Sequence, residues 1–226
     1  MSGLIPESVI FDLDGTLVDT APDLTAALNA VLMRAGRTSV PLDEVRHMVG
    51  RGARALIERA MAETGPPADA EAIDDMFRHF LEHYEANIAA TSRPFAGAEA
   101  VVRRLSARGH RLGICTNKPE GLSLKLLDEL KLLELFPVVL GADSRPYRKP
   151  DPRHLWDTIS ALGGRNDSAV MIGDSDTDVN TALAAKVPVI AVSFGYTETP
   201  ARDLGADIVI DHYDMLEDAL RKIGRA

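Results

Sequence analysis

The chain has 226 residues, 46% of them hydrophobic, and its 25 basic and 34 acidic side chains give a net charge of −9. The length and apolar content exclude a mostly disordered chain, and the acidic balance argues against a general nucleic-acid-binding protein. The single cysteine, Cys115, excludes an internal disulfide framework. Neither a signal peptide at Met1–Val9 nor a membrane-spanning run is apparent, so we expect a cytoplasmic protein without nucleic-acid or membrane partners.

A strand and then a helical segment open the chain. The first candidate strand covers Ser8–Leu13, and from about Val18 to Arg93 the patterns are helical, with no convincing strand. This interruption predicts a helical-bundle cap over residues 17–93, inserted into a core formed by residues 1–16 and 94–226. The expected helices cover residues 20–36, 53–64 and 73–88.

The first of these helices has a typical start signal. Thr20 is placed to cap it, Pro22 lies in the first turn, and Asp23 provides the acid of a capping box. Apolar residues then recur on one helix face until Gly36, which is expected to end the helix.

Short β-rich runs alternate with helices in the rest of the chain. The expected strands are Arg111–Thr116, Val138–Leu140, Ala169–Ile172, Pro188–Val192 and Ile208–Ile210. The expected helices are Gly97–Arg108, Glu120–Lys131, Arg153–Leu162, Asp178–Ala185 and Met215–Lys222. This alternation predicts an α/β fold with a Rossmann-like parallel sheet covered on both faces, whose ligands bind at the carboxyl edge of the strands.

Polar and charged residues directly follow several of these strands. They are Asp12 and Asp14 after the first strand, Thr116 and Asn117 at the end of the second, Lys149 after the third, and Asp174 and Asp178 after the fourth. Because parallel strands end at one edge of the sheet, these groups are expected to converge there. A tight turn at Gly15 is needed to bring Asp12 and Asp14 near one point.

This set of groups indicates a particular chemistry. Two carboxylates about 4 Å apart repel by roughly 4 kcal/mol at an effective dielectric of 20, so the cluster must be partly protonated or hold a cation. Oxygen ligands without a nearby histidine favour Mg²⁺ over zinc. Thr116, the amides beside it and Lys149 supply donors for an anion. Anion, cation and spare carboxylate together indicate phosphoryl transfer, in which an aspartate can form an acyl phosphate, so a small phosphorylated metabolite is the expected partner.

The segment Asp12-Leu13-Asp14-Gly15-Thr16 and the later polar segments resemble the motifs of the haloacid dehalogenase superfamily across the α/β core. The resemblance implies that Asp12 is the nucleophile and a Mg²⁺ ligand. It implies that Asp14 is the general acid and then the base, with its backbone carbonyl on the metal. The other implied roles are phosphoryl binding by Thr116 and Asn117, charge neutralisation by Lys149, metal binding by Asp174, and support of the metal or direct contact with it by Asp178.

The insert resembles the helical cap of the phosphoglycolate phosphatase branch of that superfamily. The resemblance also runs through Leu17–Leu24, Val49–Ala53, Thr116–Pro119, Gly141–Ser144, Arg148–Pro152 and Gly173–Ser175. It implies hydrolysis of 2-phosphoglycolate through an aspartyl phosphate, under a cap hinged near Leu17–Thr20 and Ser92–Phe95. The alternatives are a phosphatase of pyrophosphate or of a sugar phosphate such as N-acetylmuramic acid 6-phosphate, a phosphomutase, or a phospho-ligand-binding protein without turnover. Monomer and homodimer both remain open.

Arg51 lies between Gly50 and Gly52 at an expected helix start, where free backbone amides and the helix dipole favour an anion. Its guanidinium group can bind a substrate carboxylate through two hydrogen bonds when the cap closes. Gly50, Arg51 and Gly52 are therefore expected to bind substrate, and the alternative for Arg51 is an exposed surface residue.

Overall fold

The computed structural model describes residues 6–224, so the parts of the expectations that concern residues 1–5 and 225–226 lie outside the described residues. The strands are β1 (Ser8–Phe11), β2 (Val18–Asp19), β3 (Arg93–Pro94), β4 (Arg111–Cys115), β5 (Val138–Leu140), β6 (Ala169–Gly173), β7 (Val189–Val192) and β8 (Ile208–Ile210). The α-helices are α1 (Ala21–Arg34), α2 (Leu42–Arg46), α3 (Ala53–Thr64), α4 (Ala70–Ala86), α5 (Ala98–Ala107), α6 (Glu120–Glu129), α7 (Pro152–Ala161), α8 (Asp176–Ala185) and α9 (Leu216–Ile223). None of these helices combines the length and apolar character needed to cross a bilayer.

Six parallel strands form the central sheet in the order β5-β4-β1-β6-β7-β8. β1 lies between β4 and β6, and Phe11 at its end is opposite Ile114 and Ile172. The three strands therefore end at the same level of the sheet, and the residues that follow them meet at one edge. The predicted fold class, a Rossmann-like parallel sheet with an inserted helical bundle, is confirmed.

The central strands are buried because helices cover both faces of the sheet. Every residue of β1 and of β6 is buried. On one face Ile10 and Met171 pack in a cluster with Leu155 of α7 and Val179 of α8. On the other face Phe11 belongs to a larger cluster that includes side chains of α5, α6 and α9. Strands buried on both sides read as continuous apolar runs, which is why the sequence predicts them well.

The helices α1 to α4 form the insert between β2 and β3. They pack as a bundle in which α1 and α3 both contact α4. Their buried residues recur at helical spacing, and those of α4 are Ile73, Met76, Phe80 and Tyr84. Helix α3 has the predicted bounds of residues 53–64, and α1 ends just before Gly36, whose φ is +69°.

Thr20 does not cap α1 as predicted. It precedes the helix, but its hydroxyl makes no capping hydrogen bond. Asp23 likewise makes no capping box, because the chain that returns from α4 offers its buried carboxylate four donors, the backbone N–H and hydroxyl groups of Thr91 and Ser92. Burial opposes ionisation of Asp23, but these hydrogen bonds outweigh it and lower the pKa of the carboxyl. Hydrogen bonds to the distant residues Thr91 and Ser92 thus take the place of the predicted capping box.

The expectation of no strand between Val18 and Arg93 is wrong at both ends of the insert. Val18 pairs with Pro94 and Asp19 with Arg93 in an antiparallel two-stranded ribbon of β2 and β3. Two residues are too few to show the alternation that marks a strand, so the sequence gives no signal for it. The ribbon falls within the two predicted hinge segments and brings the ends of the insert together.

Candidate active site

A tight turn after β1 directs two carboxylates to the sheet edge. The backbone N–H of Asp12 still donates to Ile172 at 2.9 Å, and the chain then reverses as the N–H groups of Leu17 and Val18 donate to the carbonyl of Leu13. Gly15 adopts a φ of +80° in this turn, in the region that favours glycine. Asp12 and Asp14 both line one cavity between the sheet edge and the insert.

Lys149 is the cation beside Asp12. Its ammonium lies 3.0 Å from Oδ1 of Asp12 and 2.5 Å from Oδ1 of Asp178, and its side chain is 1% exposed. Burial opposes the charge on Lys149, but the two carboxylates outweigh it and raise the pKa of the lysine. Burial raises the pKa of Asp12 to about 6, against the attraction of Lys149, and repulsion from Asp178 acts in the same direction as burial.

Asp178 is held by the start of α8. Its Oδ2 accepts hydrogen bonds from the N–H of Asp174 at 3.2 Å and from the hydroxyl of Ser175 at 2.8 Å. It also accepts the N–H of Ser175 at 3.1 Å, and this bond is part of a capping box at the start of the helix. Its other oxygen accepts the ammonium of Lys149. Asp178 thus fixes the position of Lys149 beside Asp12.

Asp174 completes an acidic cluster. It accepts hydrogen bonds from the hydroxyl of Thr16 at 2.6 Å and from the N–H of Tyr196 at 2.8 Å. Burial, followed by repulsion from Asp178 and Asp12, raises the pKa of Asp174 to about 8. Oxygen atoms of Asp12, Asp174 and Asp178 lie within 4.8 Å of one another. These three buried carboxylates form an oxygen donor set that can hold a divalent cation.

Tyr196 joins this cluster to the ribbon at the base of the insert. While its N–H donates to Asp174, its hydroxyl donates to Asp19 of β2 and accepts the N–H of Ala21 at 2.9 Å. The neighbouring Gly195 packs so closely on Asp174 that an added Cβ would lie 2.2 Å from the Cβ of that residue. Asp174 therefore has little freedom to move.

Thr116 and Asn117 follow β4 and line the same cavity. The N–H of Thr116 donates to Leu140 at 3.0 Å and so extends the sheet by one residue. The side-chain amide of Asn117 donates to the carbonyl of Lys149 at 3.1 Å and to that of Gly50 at 3.3 Å. The Asn117 side chain thus links the loop that carries Lys149 to Gly50 of the insert.

The insert contributes Gly50 and Gly52 to the cavity wall, whereas Arg51 points elsewhere. Both glycines have positive φ, +114° and +92°, and α3 begins directly after Gly52. The side chain of Arg51 is 74% exposed and pairs with Asp176 of α8 at 3.4 Å. In this conformation Arg51 connects the insert to the core, and its role in substrate binding stays a prediction.

Lys118 and Tyr84 also belong to the site, although the sequence did not predict them there. The ammonium of Lys118 lies 3.1 Å from Oδ1 of Asp14 and 2.8 Å from the hydroxyl of Tyr84, and 4.3 Å from the centre of the tyrosine ring. Lys118 directly follows Thr116 and Asn117, which is a signal for its place at the sheet edge. Tyr84 reads only as part of the buried face of α4, and nothing in the sequence connects it to Lys118.

Residues 9–192 match the family of haloacid dehalogenase-like hydrolases. Since the match covers most of the chain, this protein belongs to the haloacid dehalogenase-like hydrolase family.

Its relatives identify the branch of the family. A phosphoglycolate phosphatase of Caulobacter vibrioides is 50% identical over 206 residues, 91% of this chain and 87% of that protein. One of Mesorhizobium japonicum is 45% identical over 208 residues, 92% of each chain. The crystal structure of a predicted phosphoglycolate phosphatase from Haemophilus somnus matches with a TM-score of 0.89 at 26% identity, over 96% of this chain and 98% of that one. The resemblance to the phosphoglycolate phosphatase branch is therefore confirmed.

Proposed function

We propose that this protein is a phosphatase that hydrolyses small phosphate monoesters, with 2-phosphoglycolate as its main substrate. The observation that supports this most is the position of Asp12, a buried carboxylate on the cavity wall, 3.0 Å from Lys149 and beside the acidic cluster. The 50% identical relative named phosphoglycolate phosphatase supports the choice of substrate.

In the proposed reaction the Asp12 carboxylate forms a bond to phosphorus while the bond from phosphorus to the ester oxygen breaks. Asp14 donates a proton to that oxygen, so the product leaves as an alcohol. Water then attacks the phosphorus of the aspartyl phosphate, Asp14 takes a proton from the water, and the Asp12 carboxylate is restored as phosphate leaves. The position of both carboxylates on one cavity wall supports this sequence of steps.

Thr116, Asn117 and Lys149 are the proposed phosphoryl-binding groups. The hydroxyl of Thr116 and the backbone amide of Asn117 lie at the carboxyl end of β4, while Lys149 supplies positive charge beside Asp12. Because the side chain of Asn117 already donates to two carbonyls, we assign phosphoryl binding to its backbone N–H. Fixed donors of this kind stabilise the charge that develops on a transferred phosphoryl group.

Mg²⁺ is the proposed cofactor, and the donor set fits it. Asp12, Asp174 and the backbone carbonyl of Asp14 are the proposed ligands. Burial, together with repulsion from neighbouring carboxylates, raises the pKa values of Asp12 and Asp174, and this supports a cation there. When bound, Mg²⁺ neutralises charge on the phosphoryl oxygens. One oxygen of Asp178 accepts the ammonium of Lys149 and the other accepts three hydrogen bonds, so we assign Asp178 to positioning Lys149 instead of direct metal contact.

We further propose that residues 17–93 act as a movable cap on a core formed by 1–16 and 94–226. The cavity has walls from both parts, with Phe80 and Leu81 from α4 and Thr116 from the sheet edge. Closure of the cap over the ribbon of β2 and β3 would exclude bulk water from the aspartyl phosphate.

The test is phosphate release with Mg²⁺ from a panel of 2-phosphoglycolate, N-acetylmuramic acid 6-phosphate, a second sugar phosphate and pyrophosphate. We expect the highest kcat/KM on 2-phosphoglycolate. Asp12→Asn should lower kcat by at least roughly 10³-fold, because the amide is a poor nucleophile. The matched control is Asp167→Asn, an exposed aspartate whose carboxylate pairs with Arg165, and it should behave as wild type.

The outcomes separate the alternatives. Retained turnover in Asp12→Asn, or an acyl phosphate still trapped in that variant, would contradict the nucleophile assignment. Phosphate release that requires a bisphosphate activator would indicate a phosphomutase. No turnover on the whole panel would indicate a protein that only binds phosphorylated ligands.

A further inference from the structure

Lys118 places a positive charge in the wall of the cavity. Its side chain is only 3% exposed, and among the described residues that line the cavity it is the one lysine or arginine. The other walls are largely apolar, from Leu24, Leu56, Phe80, Leu81 and Leu122. An ammonium group buried this deeply requires an anionic or hydrogen-bonding partner.

The partners of Lys118 in this structure are Asp14 and Tyr84. Its ammonium lies 3.1 and 3.3 Å from the two oxygens of Asp14 and 2.8 Å from the hydroxyl of Tyr84. The face of the tyrosine ring, 4.3 Å away, also favours a cation. Tyr84 belongs to α4 of the insert and Lys118 to the sheet edge, so this contact crosses between the two parts of the molecule.

The contact between Lys118 and Asp14 places the ammonium on one side of the proposed reaction. Asp14 is the proposed acid for the leaving oxygen, so Lys118 lies on the side of the site to which the leaving group is bound. Both residues line the cavity, whose other walls at this end are largely apolar. A carboxylate on the leaving group is therefore the part of a substrate that this ammonium is suited to bind.

We propose that Lys118, oriented by Tyr84, binds the carboxylate of the leaving group and so makes the site selective for phosphorylated 2-hydroxy acids. This inference rests on the proposed phosphatase function and assigns the residue of the same site that distinguishes an acid from an uncharged leaving group. Arg51, which the sequence favours for such a carboxylate, is not among the residues that line the cavity.

The test compares two substrates that differ only at the group in question. 2-Phosphoglycolate carries a carboxylate, and 2-hydroxyethyl phosphate carries an uncharged alcohol in its place. Wild type should prefer the acid. Lys118→Met should reduce that preference, as a ratio of kcat/KM values, by about 10- to 100-fold, mainly through the KM of the acid, because a charge-assisted hydrogen bond is lost.

Two further variants isolate the charge and its orientation. Lys118→Arg keeps the charge and should retain part of the preference for the acid. Tyr84→Phe removes the hydroxyl that holds the ammonium and should reduce the preference by about 3- to 10-fold. The matched control is Lys125→Met, because Lys125 also reaches from the core to α4, where it meets Glu85 at 3.5 Å, but lies at the surface. It should leave the preference unchanged.

Product inhibition of the wild type tests the proposal without any variant, and so does not depend on whether the variants fold. Glycolate should inhibit competitively far better than ethylene glycol. Equal inhibition, or a wild type that hydrolyses both substrates equally well, would overturn the role of Lys118 while the phosphatase function stands. An unchanged preference in folded Lys118→Met would overturn it as well. Failure of the phosphatase function itself would appear differently, as no phosphate release from either substrate.

Discussion

Lys149 forms buried ion pairs with two carboxylates. It is the cation placed between Asp12 and Asp178, and all three side chains are at most 8% exposed. Removing one member of a buried charge network leaves the others without compensation, which costs more than the network contributes when intact. The residue therefore matters for folding as well as for the proposed phosphoryl binding.

We expect Lys149→Met to lower the free energy of unfolding by about 3–5 kcal/mol at neutral pH without metal, because two buried carboxylates lose their counter-ion. Urea denaturation in the presence of a chelator measures this difference. The exposed Lys222 gives the matched control, and Lys222→Met should change stability by less than about 0.5 kcal/mol. Equal unfolding midpoints for wild type and Lys149→Met would contradict the prediction.

Cys115 is expected to be chemically inert in the folded protein. It is fully buried in β4, and burial raises the pKa of its thiol to about 12, against the opposing attraction of Lys149. At pH 8 only about one thiol in 10⁴ would then be ionised. A thiol reagent should label the native protein very slowly and the protein in guanidinium chloride at once. Rapid labelling of the native protein would show that Cys115 is accessible.

At the level of elements, Asp23 fastens the first turn of α1 to the segment that leads into β3. Asp23 is 4% exposed, and its carboxylate accepts hydrogen bonds from four donor groups of Thr91 and Ser92. We expect Asp23→Asn to lower the free energy of unfolding by about 2–3 kcal/mol, because an amide cannot accept all of these donors. Chemical denaturation of the two proteins at neutral pH measures the effect.

The contribution of Asp23 should depend on pH with a definite sign. The pKa of the folded carboxyl is lowered, so the stabilisation is complete above the unfolded pKa and is lost as pH falls through the folded one. The stability difference between wild type and Asp23→Asn should therefore be constant above about pH 5 and narrow below about pH 4. A difference that does not change over this range would refute the assignment.

The elements that the sequence predicts well are those with strong local patterns. Strands β5 and β8 have the predicted bounds, and the other strands of the sheet differ by one or two residues at their ends, because apolar runs bounded by polar residues mark them clearly. The ribbon of β2 and β3 was not predicted, since its pairing depends on two segments more than 70 positions apart. The role of Asp23 was missed for the same reason.

Within the candidate site, too, the sequence predicts what depends on local pattern and misses what depends on contacts between distant segments. Asp12, Thr116 and Asp174 directly follow adjacent parallel strands, so the sequence alone was enough to predict that they meet. The contact between Lys118 and Tyr84 was not predictable, because it depends on how α4 packs over the sheet edge. Local sequence patterns therefore predict which side chains the core contributes to the site. The side chains that the insert contributes can be identified only from the structure, because they depend on how the insert packs on the core.

At the scale of the whole molecule, surface ion pairs connect the insert to the core. Arg51 pairs with Asp176 at 3.4 Å, and Arg59 pairs with Glu198. These side chains are between 43% and 74% exposed, and exposed pairs contribute only about 0–1 kcal/mol each. These surface pairs therefore add little to the attachment of the insert, compared with the buried contact of Lys118 with Tyr84.

The two variants Arg51→Ala and Asp176→Ala separate the two roles of Arg51. If Arg51 binds substrate as the sequence suggests, Arg51→Ala should raise the KM for 2-phosphoglycolate by about 10-fold, whereas Asp176→Ala should not raise it. If Arg51 acts only through its ion pair, both variants should change KM equally. Steady-state kinetics decides between them, and an unchanged KM in Arg51→Ala would refute the substrate role.

Tyr196 contacts both the acidic cluster and the start of the insert, so it limits which foreign inserts the core can accept. Its backbone holds Asp174, and its hydroxyl holds Asp19 and Ala21 at the point where the insert begins. A chimera that joins this core to a foreign helical bundle at residues 17 and 93 would break the hydroxyl contacts, although every acidic residue of the cluster would remain. A chimera with a foreign insert must therefore keep an aspartate at position 19, because Tyr196, which binds it, belongs to the core.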